Sequence, residues 1–402
     1  MNKIVRKPEL LAPAGDLERL RIAIKYGADA VYLGGIQFGL RANAINFTMD
    51  DLREGVEFAH SYNKKVYVTV NIVLHNKEID GLVDYLKELE QVNVDAIIVS
   101  DPAIIKLARE YTNLEIHLST QQSCLNVESA KFFKSEGVSR IVLGRETTKE
   151  DIQMILDNVN VEIETFIHGA MCASYSGRCV LSNFLTARDS NRGGCSQICR
   201  WDFDLKNENG YYFKGEKPFT FCTKDLSLLK HLPEMIDMGI ASFKLEGRMR
   251  SVYYVATIVS VYRKVIDEYC SNPTGFEYNE EYEKVLRNCA NRDSVPQFFN
   301  NIYDENCQYY NGRVEISNQD FLAIVLDYDD ENQEAILEQR NYFKQGDTVE
   351  FFGPNTNTIA FTIDKIIDEN GEQIEIVRHP RQVVRIPINI MLEKDCMMRI
   401  KR

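Results

Sequence analysis

Cys172, Cys179, Cys195 and Cys199 stand close together in a chain of 402 residues, with six, fifteen and three residues between them. Thiolates gathered this way in a reducing compartment are metal or cluster ligands more readily than disulfides. Zinc sites usually use two-residue C-x-x-C knuckles, a spacing that neither pair has. An iron–sulfur cluster is bulkier and accepts wider spacing. Gly177, Gly193 and Gly194 would let backbone amides approach one. Spacing alone leaves three states open: a cluster, a zinc ion, or unligated thiols. A helical turn across the last pair would put Cys195 and Cys199 on one face, because positions i and i+4 are neighbours. The other cysteines are dispersed and read as small buried hydrophobes. Cys222, near the cysteine-rich segment, is the one candidate substitute ligand.

Other residue types that could do chemistry flank the cysteines. His168 stands four residues before Cys172. It could move protons or orient the cysteine loop. Glu164, Phe166 and His168 share one strand face by alternation and would point into the same interior. Lys244, Glu246 and Arg248 alternate in the same way. They could grip an anionic carboxylate or phosphate, with Glu246 holding the bases, or form a structural ion-pair network. Arg41 and Asn43, with Ser119, Gln121 and Gln122, suit a small-molecule or nucleotide pocket, or else a solvated loop. Arg178, Arg188, Arg192, Arg200 and Trp201 combine cations with the only tryptophan. That mixture holds phosphates and stacks bases in RNA recognition, against the alternative of a solvated surface.

These residues need a scaffold, and the first 250 residues repeat one: a short apolar strand, a turn and an amphipathic helix. Strands are expected at Glu9–Ala12, Ala28–Leu33, Lys65–Asn71, Val94–Ser100, Glu115–Ser119, Val138–Leu143, Val161–His168 and Ala241–Glu246. Several are unbroken apolar runs, such as Ala96-Ile97-Ile98-Val99, as expected of parallel strands covered on both faces. Eight strands alternating with helices predict an α/β fold, a (β/α)8 TIM-like barrel. An open doubly wound sheet finds no Gly-rich fingerprint here. One connection breaks the rhythm. About 70 residues, from about 169 to 240, join the seventh and eighth strands and carry all four cysteines. Loops leaving the carboxyl ends of barrel strands build active sites. The expected organisation is a barrel over 1–270, a polar connector over 271–312 and a small all-β, barrel-like domain over 313–402. In that last part, short alternating strands sit between turns such as Gly353-Pro354-Asn355.

The formal net charge is −13, which argues against coating nucleic acid by global charge. Between Ala173 and Arg250, however, twelve Lys or Arg face nine Asp or Glu, so the cysteine segment is positively biased. No apolar run reaches the roughly 20 residues of a membrane span. The short basic start has no apolar signal core, so a cytoplasmic protein is expected.

Several ordered motifs resemble one family. Glu164-Thr-Phe-Ile-His168-Gly-Ala-Met-Cys172 and Ser176-Gly-Arg-Cys179 are followed by Asn191-Arg-Gly-Gly-Cys195-Ser-Gln-Ile-Cys199-Arg200. Lys224-Asp-Leu226 and Lys244-Leu-Glu246-Gly-Arg248 follow, and Leu11-Ala-Pro-Ala-Gly15 opens the series. The pattern is similar to the collagenase-like peptidases of unknown catalytic type. The C-terminal part resembles the subgroup associated with prephenate-dependent hydroxylation of tRNA uridine. The resemblance implies a 4Fe–4S cluster on Cys172, Cys179, Cys195 and Cys199, and hydroxylation of wobble uridine to 5-hydroxyuridine with prephenate as co-substrate. It also implies tRNA as partner, with a related family protein as a further partner. On that reading His168, Lys244 and Glu246 are the catalytic candidates. Arg41, Asn43, Gln121, Arg178, Arg200 and Arg248 are the substrate-binding candidates. One stretch departs from the pattern: Asn291-Arg-Asp-Ser-Val-Pro-Gln-Phe-Phe299 stands where relatives carry a Thr-Gly-aromatic element. Hydroxylation of another RNA or of a small molecule is one alternative, and peptidase chemistry is the other, with Cys172 and His168 as a conceivable dyad. No H-E-x-x-H or G-x-S-x-G motif supports it.

Overall fold

The computed structural model describes residues 6–39, 46–211, 218–290, 292–301, 304–309 and 319–401. Eight parallel strands close into a barrel: β1 (Glu9–Pro13), β2 (Ala30–Gly34), β3 (Lys65–Val70), β4 (Ala96–Val99), β5 (Glu115–Leu118), β6 (Arg140–Val142), β7 (Glu162–Gly169) and β8 (Ser242–Leu245). Neighbours pair in chain order, and β8 closes the ring between β7 and β1, with Ser242 opposite both Glu164 and Glu9. The unbroken apolar runs are explained by this closure: β2 and β4 are buried along their whole length, between barrel interior and outer helices.

The helices form where caps and apolar spacing coincide. Asp16 accepts from the Arg19 amide to start the helix Leu17–Lys25, which buries Leu20, Ile22, Ala23 and Ile24. Ser251 caps Val252–Ser271, the longest helix among the described residues, which buries thirteen of its residues, including Val259 and Tyr262. Between β7 and β8 the long connection returns through a short strand, Asp225–Ser227. That strand pairs antiparallel with the end of β7 and parallel with Ser294–Val295. It was not among the expected strands, since three residues carry too little periodicity to read.

The C-terminal region is an eight-stranded antiparallel sheet with its own core, centred on Leu322, Leu337, Phe351, Ile363 and Met398. Two of its strands are Val383–Pro387 and Met397–Lys401, and the stretch over 359–368 forms two more, Ile359–Thr362 and Ile366–Asp368. The region packs on the backs of two barrel helices. Tyr253 stacks on Phe321 with ring centroids 5.2 Å apart, Tyr26 donates to the Asp395 carbonyl at 2.8 Å, and Arg340 meets Glu18 at 2.9 Å. No described residue beyond Met249 lines the cavity described next.

Candidate functional site

A cavity of about 450 Å³ opens at the carboxyl-terminal mouth of the barrel. Its floor comes from strand ends: Tyr32, Thr69, Asn71, Ile98, Ser119, Val142, Phe166 and Lys244. Its roof comes from the long connection, and Cys172, Cys179, Cys195 and Cys199 all line it. The loop reaches over the mouth because two glycines allow it. Gly169 sits at φ +111°, and a Cβ there would lie 2.7 Å from the Glu246 carbonyl. Gly177, at φ +71°, passes directly over the Gln121 backbone.

The stretches that bear Cys179, Cys195 and Cys199 are tied down. The Cys179 carbonyl accepts from Asn191 Nδ2 at 2.9 Å and from Ser190 Oγ at 2.5 Å. The Ser196 amide, beside Cys195, donates to Ser182 Oγ at 3.0 Å, and Thr220 donates to the Cys199 carbonyl at 3.1 Å. Arg192 clamps the loop to the barrel through two bonds to Glu78, at 2.5 and 3.0 Å, and one to the Val73 carbonyl at 2.8 Å. The Arg192 guanidinium holds the Glu78 carboxyl well down, at about 2. The expected helical turn across Cys195 and Cys199 is absent. Gln197 at φ +55° breaks it, and both cysteines reach the cavity from an irregular chain ending in a 3-10 turn at Ile198–Arg200.

Burial raises the Cys172 thiol, and Cys199 is pushed up to about 11, mainly by burial with Cys172 adding to it. Charge on one of these sulfurs is therefore felt by the others. Among the described residues, no three His, Cys, Asp or Glu side chains stand close enough together to hold one metal ion. The four thiols line one space without converging on a point, and a single zinc ion needs ligands about 2.3 Å from one point. Four sulfurs around a space fit the donor set of a polynuclear cluster better than that of one ion. Cys222 is buried, bonded to the Thr223 carbonyl at 3.5 Å, and does not line the cavity.

Three of the polar candidates differ from the expectation, in position or in partner. His168 does not project into the mouth. β7 carries an irregularity opposite β8, where Lys244 pairs with Phe166 but Leu245 pairs with His168. The extra residue turns the alternation over. Phe166 lines the cavity, whereas His168 faces outward to Tyr262, with Nδ1 3.1 Å from its hydroxyl. Burial, with Arg250 assisting, pushes His168 down to about 4, against the opposing influence of Glu246. No hydrogen bond joins it to Cys172 among the described residues, so the proposed dyad is not formed. Lys244 lines the floor, but its partner is Glu164, at 2.7 Å, and not Glu246. Burial works to raise the Glu164 carboxyl, but Lys244, Arg140 and His117 override it and hold the carboxyl below its ordinary value. Arg178 is exposed outside the cavity lining.

Glu246, Arg248, Gln121 and Arg200 do line the cavity, with Arg248 Nη1 3.3 Å from Thr69 Oγ1. Arg41 and Asn43 lie outside the described residues. The departing stretch holds the returning loop: Arg292 meets Asp225 at 3.0 Å, and Gln297 donates to the Lys224 carbonyl at 2.8 Å. One lining residue escaped the sequence reading. Arg145, just after β6, lies flat against Phe166 with its guanidinium carbon 3.7 Å from the ring centre. The signal for it was its place, since residues that follow barrel strands face the mouth. Around the rim, Phe184 is 82% exposed and Trp201 48%, with Tyr175, Val180, Leu185 and Met249 also exposed.

Comparison with known sequences gives a consistent result. The profile of peptidase family U32 matches residues 15–308, and that of the peptidase family U32 C-terminal domain matches residues 317–399. The tRNA hydroxylation protein P1 of Bacillus subtilis is 51% identical over 98% of this chain and 95% of its own. The 23S rRNA 5-hydroxycytidine C2501 synthase of Escherichia coli is 43% identical over 64% of this chain and 39% of its own. A protein of Porphyromonas gingivalis named collagenase is 34% identical over 71% of each chain.

Proposed function

The chain belongs to peptidase family U32, and from that premise we propose that it hydroxylates RNA: a tRNA uridine at the wobble position, converted to 5-hydroxyuridine. The observation that carries this reading is the meeting of four cysteines, cations and a nucleoside-sized cavity at the barrel mouth, in a chain similar along its length to a tRNA hydroxylation protein. Cys172, Cys179, Cys195 and Cys199 would hold a 4Fe–4S cluster. Such a cluster supplies one-electron transfer when bound.

The chain's own residues divide the remaining work. The exposed Trp201 and Phe184 offer faces on which splayed bases stack, and Arg178 and Arg188 offer charge to the phosphates. Asn71, Ser119 and Gln121 present amide and hydroxyl groups to whatever enters the floor. The lid formed by the cysteine loop, held by Arg192 on Glu78, keeps bulk water from the reacting base. Prephenate is the proposed co-substrate. A peptidase would need an activated nucleophile, and no histidine or carboxylate is hydrogen-bonded to a cavity thiol among the described residues.

Nucleoside mass spectrometry of tRNA from host cells with the gene, without it, and carrying Cys195→Ala tests the reading. The expected result is loss of 5-hydroxyuridine and its derivatives on deletion, restored by the intact gene and not by the variant. Unchanged nucleosides on deletion, in a host without a redundant gene, would overturn it. Iron analysis of protein purified without oxygen tests the cofactor separately, and an iron-free, colourless wild-type chain counts against the cluster.

A further inference from the structure

Among the described residues, Arg145 is the one cation of the cavity held by a ring alone. Its guanidinium lies on Phe166, and among the described residues it makes no hydrogen bond and no salt bridge. The other cations are engaged: Lys244 with Glu164, Arg248 with Thr69, and Arg200 with Gln197. A guanidinium presents five N–H donors in a fixed fork, and stacking fixes the plane of that fork without using any of them. The result is a preorganised two-point donor inside a cavity. Glu246 is the only carboxylate among the described lining residues, where positive charge exceeds negative.

The depth of Arg145 indicates what it holds. Its platform, Phe166, is 8% exposed and pairs with Lys244 inside the barrel wall. The phosphates of a polynucleotide stay at a rim, where Arg178 and Arg188 are exposed. A small molecule can descend to the floor, and about 450 Å³ is ordinary room for one. Arg145 lines the same cavity as Cys172 and Lys244. A ligand held by it therefore lies between the cysteines and the strand ends.

We infer that Arg145, braced on Phe166, is the carboxylate-binding fork of the cavity and holds a small organic acid beside the cysteines. Two oxygens of a carboxylate match the two parallel donors of the fork, as two oxygens of a phosphate would, and the depth of the site is what favours a small organic acid over a polynucleotide. This deepens the co-substrate part of the function proposed above and rests on it.

The test is calorimetric titration of the full chain, purified without oxygen, with prephenate, phenylpyruvate and inorganic phosphate, beside filter binding of unmodified tRNA. Arg145→Gln is expected to weaken binding of both organic acids by roughly 10- to 100-fold. Arg145→Lys, which keeps the charge and loses the fork, is expected to recover less than half of that loss on a logarithmic scale. Phe166→Leu keeps the guanidinium and removes its brace, with an intermediate loss expected. Affinity for tRNA should stay within about twofold in all three, and melting curves report whether each variant folds.

Organic-acid binding unchanged in Arg145→Gln overturns the inference, as does a wild-type chain that binds neither acid. Equal loss of phosphate and organic acid reassigns the site to anions in general. A fall in tRNA affinity alone makes Arg145 a phosphate contact. The nucleoside experiment reads something different. Arg145-dependent acid binding with unchanged nucleosides would leave this inference standing and remove the RNA reading, and the reverse pattern would do the opposite.

Discussion

The amino-terminal end of the barrel holds Arg140 among three acids, whereas the carboxyl-terminal end holds Arg145 against a ring. At the first end, Arg140 reaches Glu9 at 2.5 Å, Glu162 at 2.7 Å and Glu164 at 3.4 Å. Tyr67 and Ser242 add bonds to Glu9 at 2.7 and 2.9 Å. Lys244 completes the network from above, 2.7 Å from Glu164 and 4.4 Å from the centre of the Tyr32 ring. At the second end lie the unused donors of Arg145, a buried Asn71 Oδ1 without a partner among the described residues, and exposed apolar side chains. Buried charge is tolerated only when paired. The first end has spent its charge on itself and can only be structural, while the second keeps its capacity for something that enters.

That contrast can be broken most directly at Glu164. Glu164→Gln leaves Lys244 and part of Arg140 uncompensated, and should cost about 3–5 kcal/mol in a denaturant titration. Pairing it with Lys244→Met should recover part of the loss, because the resulting Gln–Met pair is neutral and leaves no lysine charge desolvated without a partner. If the double variant is no more stable than the single one, the network is not an isolated ionic unit.

The next effect in size is one of pH. His168 is held at about 4 in the fold, against an ordinary imidazole value of about 6.5. Between those two values the unfolded chain binds a proton that the folded chain refuses, so stability falls as pH falls, by up to about 3 kcal/mol. Glu164 acts in a lower window. Its carboxyl is depressed in the fold, so its contribution is full above the ordinary carboxylate range and is lost only as pH drops through the folded value. Denaturation midpoints measured from pH 7 to 4 should therefore slope less in His168→Asn than in the wild type. Equal slopes would show that His168 titrates normally.

Smallest in stability should be changes at the mouth. Trp201→Ala and Arg178→Ala are each expected to shift unfolding by no more than about 0.5 kcal/mol, as exposed positions do. Trp201→Ala should nevertheless weaken tRNA binding by roughly 5- to 100-fold, the worth of one stacked base. A large stability loss there would mean that the ring braces the loop.

The barrel was legible because a parallel strand covered on both faces needs apolar residues throughout, and Ala96-Ile97-Ile98-Val99 is such a run between β3 and β5. The cysteine loop was legible as a connection too long for its place. What could not be read were consequences of register. The bulge that turns His168 outward follows from how β7 meets β8, and nothing in the order of residues marks it. The Lys244–Glu164 pair likewise depends on the closing strand lying beside β7. Gln197 in the left-handed region defeats a helical spacing that looks ordinary on paper. Arg145 was passed over because a lone arginine after a strand resembles any solvated one, until its ring partner is known.

The return of the cysteine loop is stitched to chain that comes much later. The Lys224 amide bonds the Cys307 carbonyl, the Tyr309 amide bonds the Cys222 carbonyl, and the Asp225 amide bonds the Asp293 carbonyl, each at 2.8 or 2.9 Å. These stitches give the site a schedule. Synthesis runs at roughly 5–20 residues per second. All four cysteines therefore leave the ribosome seconds before the segment that fixes their loop exists. The barrel strands can pair once β8 has emerged, but the roof of the cavity can settle only after Tyr309. The cavity end of the barrel is thus the last part of the barrel to settle, and a chain interrupted before Tyr309 would carry a formed barrel beneath an unfastened lid.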